Sequence, residues 1–267
     1  MDKRLVGIFD SGLGGLTVVK EIKKRLPNES IIYLGDTARV PYGTRSKEAV
    51  TKFSLQDAYF LTGQKVKCIV IACNTASALA FKEVKRKLTI PVFDVVSAGA
   101  KMAVETTKNR KVGVIGTRGT IASQAYQKAI RKQNPKILVH EKACPLFVSL
   151  IEEGEIKGKV IEMLAGKYLN PLKNNKIDTL ILGCTHYPII KNIIQEKIGK
   201  RVLLVNSGEG IAKVLSNFLK EKKLEAPKNL NPVRKYYVTD LTKRFIDIAN
   251  MFLGENISGS IRKINLE

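Results

Sequence analysis

Acidic residues are scarce in this chain. Twenty-four Asp and Glu stand against 46 Lys and Arg in 267 residues, a formal charge of +22. Tryptophan is absent, histidine occurs twice and cysteine four times. No apolar run reaches the ~18 residues of a membrane span, so no membrane partner is expected. The first residues enter a strand-like segment at 4–10 without a signal-peptide apolar region or cleavage site. The cysteines form no C-x-x-C pair, which argues against a zinc ribbon or a disulfide framework. A soluble cytoplasmic enzyme with reduced thiols is the expectation.

The excess of basic residues has two readings. One is nucleic-acid binding. The other is a lysine-rich surface, and the dispersal favours it. Lys20, Lys23 and Lys24, then Lys82, Lys85 and Lys87, then Lys220, Lys222 and Lys223 fall on the polar faces of helical patterns. No nucleic-acid motif or interleaved aromatic accompanies them, so nucleic acid is not expected as the primary partner. A positive field can still speed encounter with a small anion.

What the chain does contain is an alternation. Strand-like runs at 4–10, 31–35, 66–72, 91–95, 111–116, 136–140, 177–183, 201–205 and 235–239 are separated by helical patterns. These patterns cover 15–25, 46–62, 75–87, 118–132, 156–168, 187–197, 209–222 and 241–252. Such spacing predicts βαβ units and open parallel sheets. With 44% hydrophobic residues the chain can bury a substantial core. An approximate repeat is also visible. Gly113 follows Gly7 by 106 residues, each in a strand-Gly-helix segment, and Cys184 follows Cys73 by 111. Two similar α/β domains are predicted, residues 1–97 plus 207–267 and residues 98–206, with the cleft between them receiving both cysteines.

Cys73 and Cys184 each stand where an apolar run gives way to polar residues, Asn74-Thr75 and Thr185-His186, ahead of a helical pattern. In open α/β sheets ligands bind at the carboxyl ends of strands. The free N–H groups of a helix start favour a thiolate there. Cys68 and Cys144 lack this context and read as small buried apolar groups. Asp10 ends the first strand before Ser11-Gly12-Leu13-Gly14-Gly15. A dinucleotide fingerprint fails, because Thr17 stands where the third glycine is required. What remains is a glycine-rich turn suited to a carboxylate, with Asp10 either tuning Cys73 or merely capping a helix. His186 sits two residues from Cys184 as its tuner, whereas His140 lies in a strand and reads as structural. A zinc site from Cys73, Cys184 and His186 lacks a fourth ligand and the usual close pairing, so no metal is expected. The turn-rich loop 35–43, with Tyr42, is a candidate wall of the site.

Asp10-Ser11-Gly12-Leu13-Gly14-Gly15, Pro41-Tyr42-Gly43, Cys73-Asn74-Thr75-Ala76-Ser77-Ala78 and Gly183-Cys184-Thr185-His186-Tyr187-Pro188 resemble the motifs of the bacterial glutamate racemases. So does Gly116-Thr117-Arg118-Gly119-Thr120 with Ser123 and Tyr126, and the likeness runs from about residue 5 to 250 in order. Ser149 departs from it, where the family usually has Pro. The resemblance implies two flavodoxin-like α/β domains related by pseudo-twofold symmetry, with the active site between them. It implies cofactor-independent interconversion of L- and D-glutamate, feeding peptidoglycan synthesis, in an enzyme expected to be a homodimer. Cys73 and Cys184 match the acid/base pair, Cys73 for the D- and Cys184 for the L-enantiomer. Asp10 and His186 match supporting groups, and Glu152 lies near a third. Asp10, Ser11, Tyr42, Gly43, Asn74, Thr75, Thr185 and His186 match substrate-contacting positions. Related two-cysteine racemases of aspartate or a hydantoin are the nearest alternative, and a nucleic-acid-binding protein on an old enzyme fold is the distant one.

Overall fold

Runs such as Val6-Gly7-Ile8-Phe9 and Ile69-Val70-Ile71 are apolar at successive residues, so both faces need cover. That is the pattern of a central parallel strand between two helix layers. The computed structural model describes residues 1–228 and 231–266; residues 229, 230 and 267 of the expected segment 207–267 lie outside the described residues. The first part of the chain folds as β1 (Val6–Asp10), α1 (Leu16–Arg25), β2 (Ile31–Gly35), α2 (Lys47–Gly63), β3 (Cys68–Ile71), α3 (Asn74–Lys87), β4 (Val92–Asp94) and α4 (Val95–Thr106). Next come β5 (Lys111–Gly116), α5 (Arg118–Ala122), α6 (Ala125–Gln133), β6 (Leu138–Ala143), α7 (Leu146–Glu152), α8 (Lys159–Asn174), β7 (Thr179–Gly183), α9 (Lys191–Ile198), β8 (Leu203–Asn206) and α10 (Ser207–Glu221). The chain then adds β9 (Arg234–Val238), α11 (Lys243–Leu253) and β10 (Ile261–Lys263).

Among the described residues the strands form two sheets of order β10-β9-β2-β1-β3-β4 and β6-β5-β7-β8. Every pairing is parallel. The order β2-β1-β3-β4 recurs as β6-β5-β7-β8, and both put the topological switch beside the sheet's first strand. The register makes the repeat concrete. Gly7 pairs with Ile69 and Gly113 with Leu180. Each cysteine lies four positions beyond that partner. One apolar cluster runs through both halves, from Ile8 and Val70 to Leu180 and Leu182, and a further cluster fills the opposite face of each sheet. Lys20, Lys24, Lys82, Lys85, Lys87, Lys220, Lys222 and Lys223 are exposed. Lys67 is buried instead, 2.5 Å from Glu29.

Several expected boundaries moved for local reasons. The pattern at 118–132 is two helices, α5 and α6, separated where Gln124 adopts φ 55°. The pattern at 187–197 opens as a 3-10 turn, Tyr187–Ile190, that contains Pro188, before α9 begins. Helix α4 exposes only a narrow stripe, Ser97, Lys101 and Glu105. Val95, Val96, Ala98, Gly99, Ala100 and Ala103 are all buried, because α4 packs between α10 and α6. Its glycine allows close packing there: a Cβ on Gly99 would lie 3.2 Å from Ser207 and 3.3 Å from the Tyr126 ring, a tight fit.

Candidate active site

Helix α3 starts immediately after Cys73, whose sulfur caps it by accepting the Ala76 N–H at 3.4 Å. Ser11, from the turn after β1, lies 3.4 Å from the same sulfur through its hydroxyl. Burial, reinforced by the nearby Asp10 charge, pushes the Cys73 thiol up to about 12, against the opposing bonds from Ser11 and Ala76. Asp10 itself is wholly buried and accepts the Gly12 N–H at 3.0 Å. Burial raises its pKa, while His186 and the N–H groups of Gly15 and Gly12 restrain the rise.

Cys184 occupies the corresponding place after β7 in a different environment. Its sulfur lies 3.7 Å from His186 Nδ1, and His186 Nε2 meets Glu152 Oε1 at 2.9 Å. Burial works against a charged imidazole here. The bonds to Cys184 and Glu152 outweigh it and carry His186 from 6.5 up to about 10. Glu152 is the last residue of α7, a short helix whose Phe147 and Ile151 anchor it in the core. The Phe252 ring, from α11, meets the His186 ring in a T-shaped contact at 5.6 Å between centroids.

These groups converge. Ser11, Tyr42 and Gly43 line one cavity together with Cys73, Asn74 and Thr75. Cys184, Thr185 and His186 close it from the second sheet. The cavity they enclose is narrow. Asp10 stands directly behind, bonded by Thr185 Oγ1 at 3.5 Å. Thr17 adds a second tie between the sheets through the Thr185 carbonyl at 2.8 Å. The seam is tight at Gly14, where a Cβ would fall 2.1 Å from Thr185 Oγ1 and 2.6 Å from the His186 ring.

Two expected contacts are finer than the sequence allowed. The Tyr42 hydroxyl is spent behind the wall on Asp36 and Asp57, so only the rest of the residue is left to face the cavity. Asn74 Oδ1 accepts from Tyr126 at 2.6 Å, whereas its Nδ2 is buried with no partner, a donor free in the cavity wall. Thr75 joins Thr117 at 2.9 Å and Thr120 at 3.3 Å, linking α3 to the start of α5. Cys68, Cys144 and His140 lie outside the lining. Among the described residues no cluster of three or more His, Cys, Asp and Glu is arranged to hold a metal. No helix among them is long and apolar enough to cross a membrane. Val40 and Pro41 of the lining fall in the loop 35–43 expected to wall the site, Thr117 was singled out only as part of a motif, and Val148, an ordinary apolar residue, was missed.

The profile of the Asp/Glu/Hydantoin racemase family matches residues 14–207. A glutamate racemase of Geobacter metallireducens is 48% identical over 267 residues, covering 100% of this chain and 98% of the relative. The crystal structure of glutamate racemase from Francisella tularensis in complex with D-glutamate superposes with a TM-score of 0.94 at 44% identity, covering 100% of this chain and 99% of that one. A glutamate racemase isoform from Bacillus anthracis gives 0.95 at 40% identity, with the same coverage. This chain belongs to the Asp/Glu/hydantoin racemase family of isomerases.

Proposed function

We propose that this enzyme interconverts L- and D-glutamate by moving the Cα proton between two cysteines. The observation that carries the reading is the meeting of Cys73 and Cys184, from equivalent strand ends of two sheets, in one small cavity. Dividing the chain into 1–97 with 207–267 and 98–206 puts the two sulfurs on different domains, and so on opposite faces of a substrate held between them. The activity printed for the full-length relatives supports glutamate as that substrate.

The two sulfurs are set for opposite tasks. In this reading Cys184 enters as the thiolate, beside the His186 ring that Glu152 holds. Burial and Asp10 keep Cys73 a thiol. With L-glutamate, the Cys184 thiolate takes the Cα proton and becomes a thiol. The Cys73 thiol gives its proton to the other face and becomes a thiolate. From D-glutamate the roles reverse. The carbanion between these steps is a very strong base, and hydrogen bonds to the α-carboxylate in a site closed to water must stabilise it. Asn74 Nδ2 is one such donor. The unpaired N–H groups where the helical segments begin after Cys73 and Cys184 are others. Asp10, Ser11, Tyr42, Gly43, Thr75, Thr185 and His186 complete the substrate's surroundings in this reading. The proposal extends, on the same family likeness, to a cytoplasmic homodimer whose D-glutamate supplies peptidoglycan synthesis.

Purified protein incubated with L-glutamate, with no pyridoxal phosphate added, tests the reading. Polarimetry is expected to show loss of rotation. Cys73→Ala and Cys184→Ala are each expected to lose about 10²–10⁴-fold in rate, the usual worth of a general acid or base. Either variant racemising at the parent rate contradicts the two-base step. A preference for L-aspartate over L-glutamate contradicts the substrate.

A further inference from the structure

Behind the cavity wall formed by Val40, Pro41, Tyr42 and Gly43 lies a second polar cluster that the proton transfer does not use. Asp36, just after β2, and Asp57, in α2, are both fully buried. The Tyr42 hydroxyl bonds Asp36 Oδ2 and lies 3.1 Å from Asp57 Oδ2. Arg39 reaches Asp36 Oδ2 through Nε at 2.6 Å and Asp57 Oδ1 through Nη2 at 3.3 Å, with its guanidinium 4.4 Å over the Phe53 ring. Thr239, just after β9, donates to Asp36 Oδ1 at 3.0 Å. It accepts the Ala38 N–H at 2.9 Å.

The protons in this cluster can be counted. A phenol has one proton and so donates once. Its oxygen nevertheless touches two carboxyl oxygens, and two oxygen–oxygen contacts need two protons. Charge gives the same answer, because one guanidinium balances one buried carboxylate. Asp36 accepts from Arg39, Tyr42 and Thr239, which suits the ionised form. We propose that Asp57 is the protonated member of the pair and a positioning residue for the active site. Its carboxyl proton is donated to the Tyr42 oxygen, and Tyr42 donates its own proton to ionised Asp36. The segment 36–43 is thereby locked to α2 and β9, and Gly43 and the Tyr42 ring are held against the cavity. Burial, then the Asp36 charge, push Asp57 well above the ordinary carboxyl range, with Arg39 opposing.

Asparagine at position 57 is neutral like the protonated acid, keeps one carbonyl acceptor and offers an N–H where the acid has its O–H, with one further N–H, whereas asparagine at 36 removes the charge that balances Arg39. Only the kinetic arm of the test rests on the proposed function. Full-length Asp57→Asn, Asp57→Ala and Asp36→Asn are compared by thermal melting and by KM and kcat for L-glutamate. Asp57→Asn is expected within about 2 °C of the parent Tm and about twofold of its KM. Asp57→Ala is expected to raise KM about tenfold with a smaller change in kcat, and Asp36→Asn to lower Tm by about 5 °C or more. An Asp57→Asn protein as damaged as Asp57→Ala, or an Asp36→Asn protein as sound as Asp57→Asn, overturns the proposal. If the parent protein does not racemise glutamate, the functional reading fails, and the order of melting temperatures still decides the proton's place.

Discussion

Burial holds the Cys73 thiol up near 12, whereas Cys184 faces an imidazole carried to about 10, so one chemical group is placed in two electrostatic settings. A racemase needs this inequality, since one sulfur must arrive with its proton and the other without. The imidazole also leaves a mark on stability. His186 binds its proton more tightly folded than unfolded, so its contribution is fully present below pH 6.5 and is lost as pH rises through about 10. Comparison of Tm against pH for the parent protein and His186→Gln isolates that contribution. The parent's advantage is expected to shrink steadily between pH 6.5 and 10. An advantage that is flat or grows over that window contradicts a protonated His186.

At the scale of elements, the site is made where two strand ends and a glycine turn meet. Gly14 leaves no room for a side chain between the turn after β1 and the Thr185-His186 pair. Gly14→Ala should cost about 1–3 kcal/mol of overpacking and displace His186, lowering the racemisation rate tenfold or more. Gly166, inside α8, faces open space. Gly166→Ala should gain roughly 0.5–1 kcal/mol and leave the rate unchanged. The two variants assayed side by side check the distinction, and equal effects on rate would refute it. The strand ends that carry the cysteines were legible because apolar runs stop abruptly at Ala72-Cys73 and Gly183-Cys184. Helix α4 was not, because it is buried on most of its surface and its polar stripe is only Ser97, Lys101 and Glu105, too thin to mark the period beside so many apolar residues. Nor was α7, whose single helical turn or two leaves too few residues for a pattern. Glu152 was suggested only by family likeness, and its bond to His186 depends on a fold contact across 34 residues.

For the molecule as a whole, two sheets that share a four-strand order face one cavity, and the paired register of Gly7 and Gly113 explains why the sequence repeat looked approximate. Strand positions repeat, while the connecting helices differ in length and number. The exposed lysines lie on helix faces away from this geometry, and they give the molecule its charge without shaping the site. The central claim is that two bases, one per sheet, share one proton transfer. Protiated L-glutamate in D2O, sampled in the first few per cent of turnover, tests it most directly. The account predicts deuterium at Cα of the D-glutamate formed and none in the L-glutamate that remains, because the base that removes the proton is not the acid that supplies the new one. Deuterium entering residual L-glutamate as fast as D-glutamate appears would contradict it.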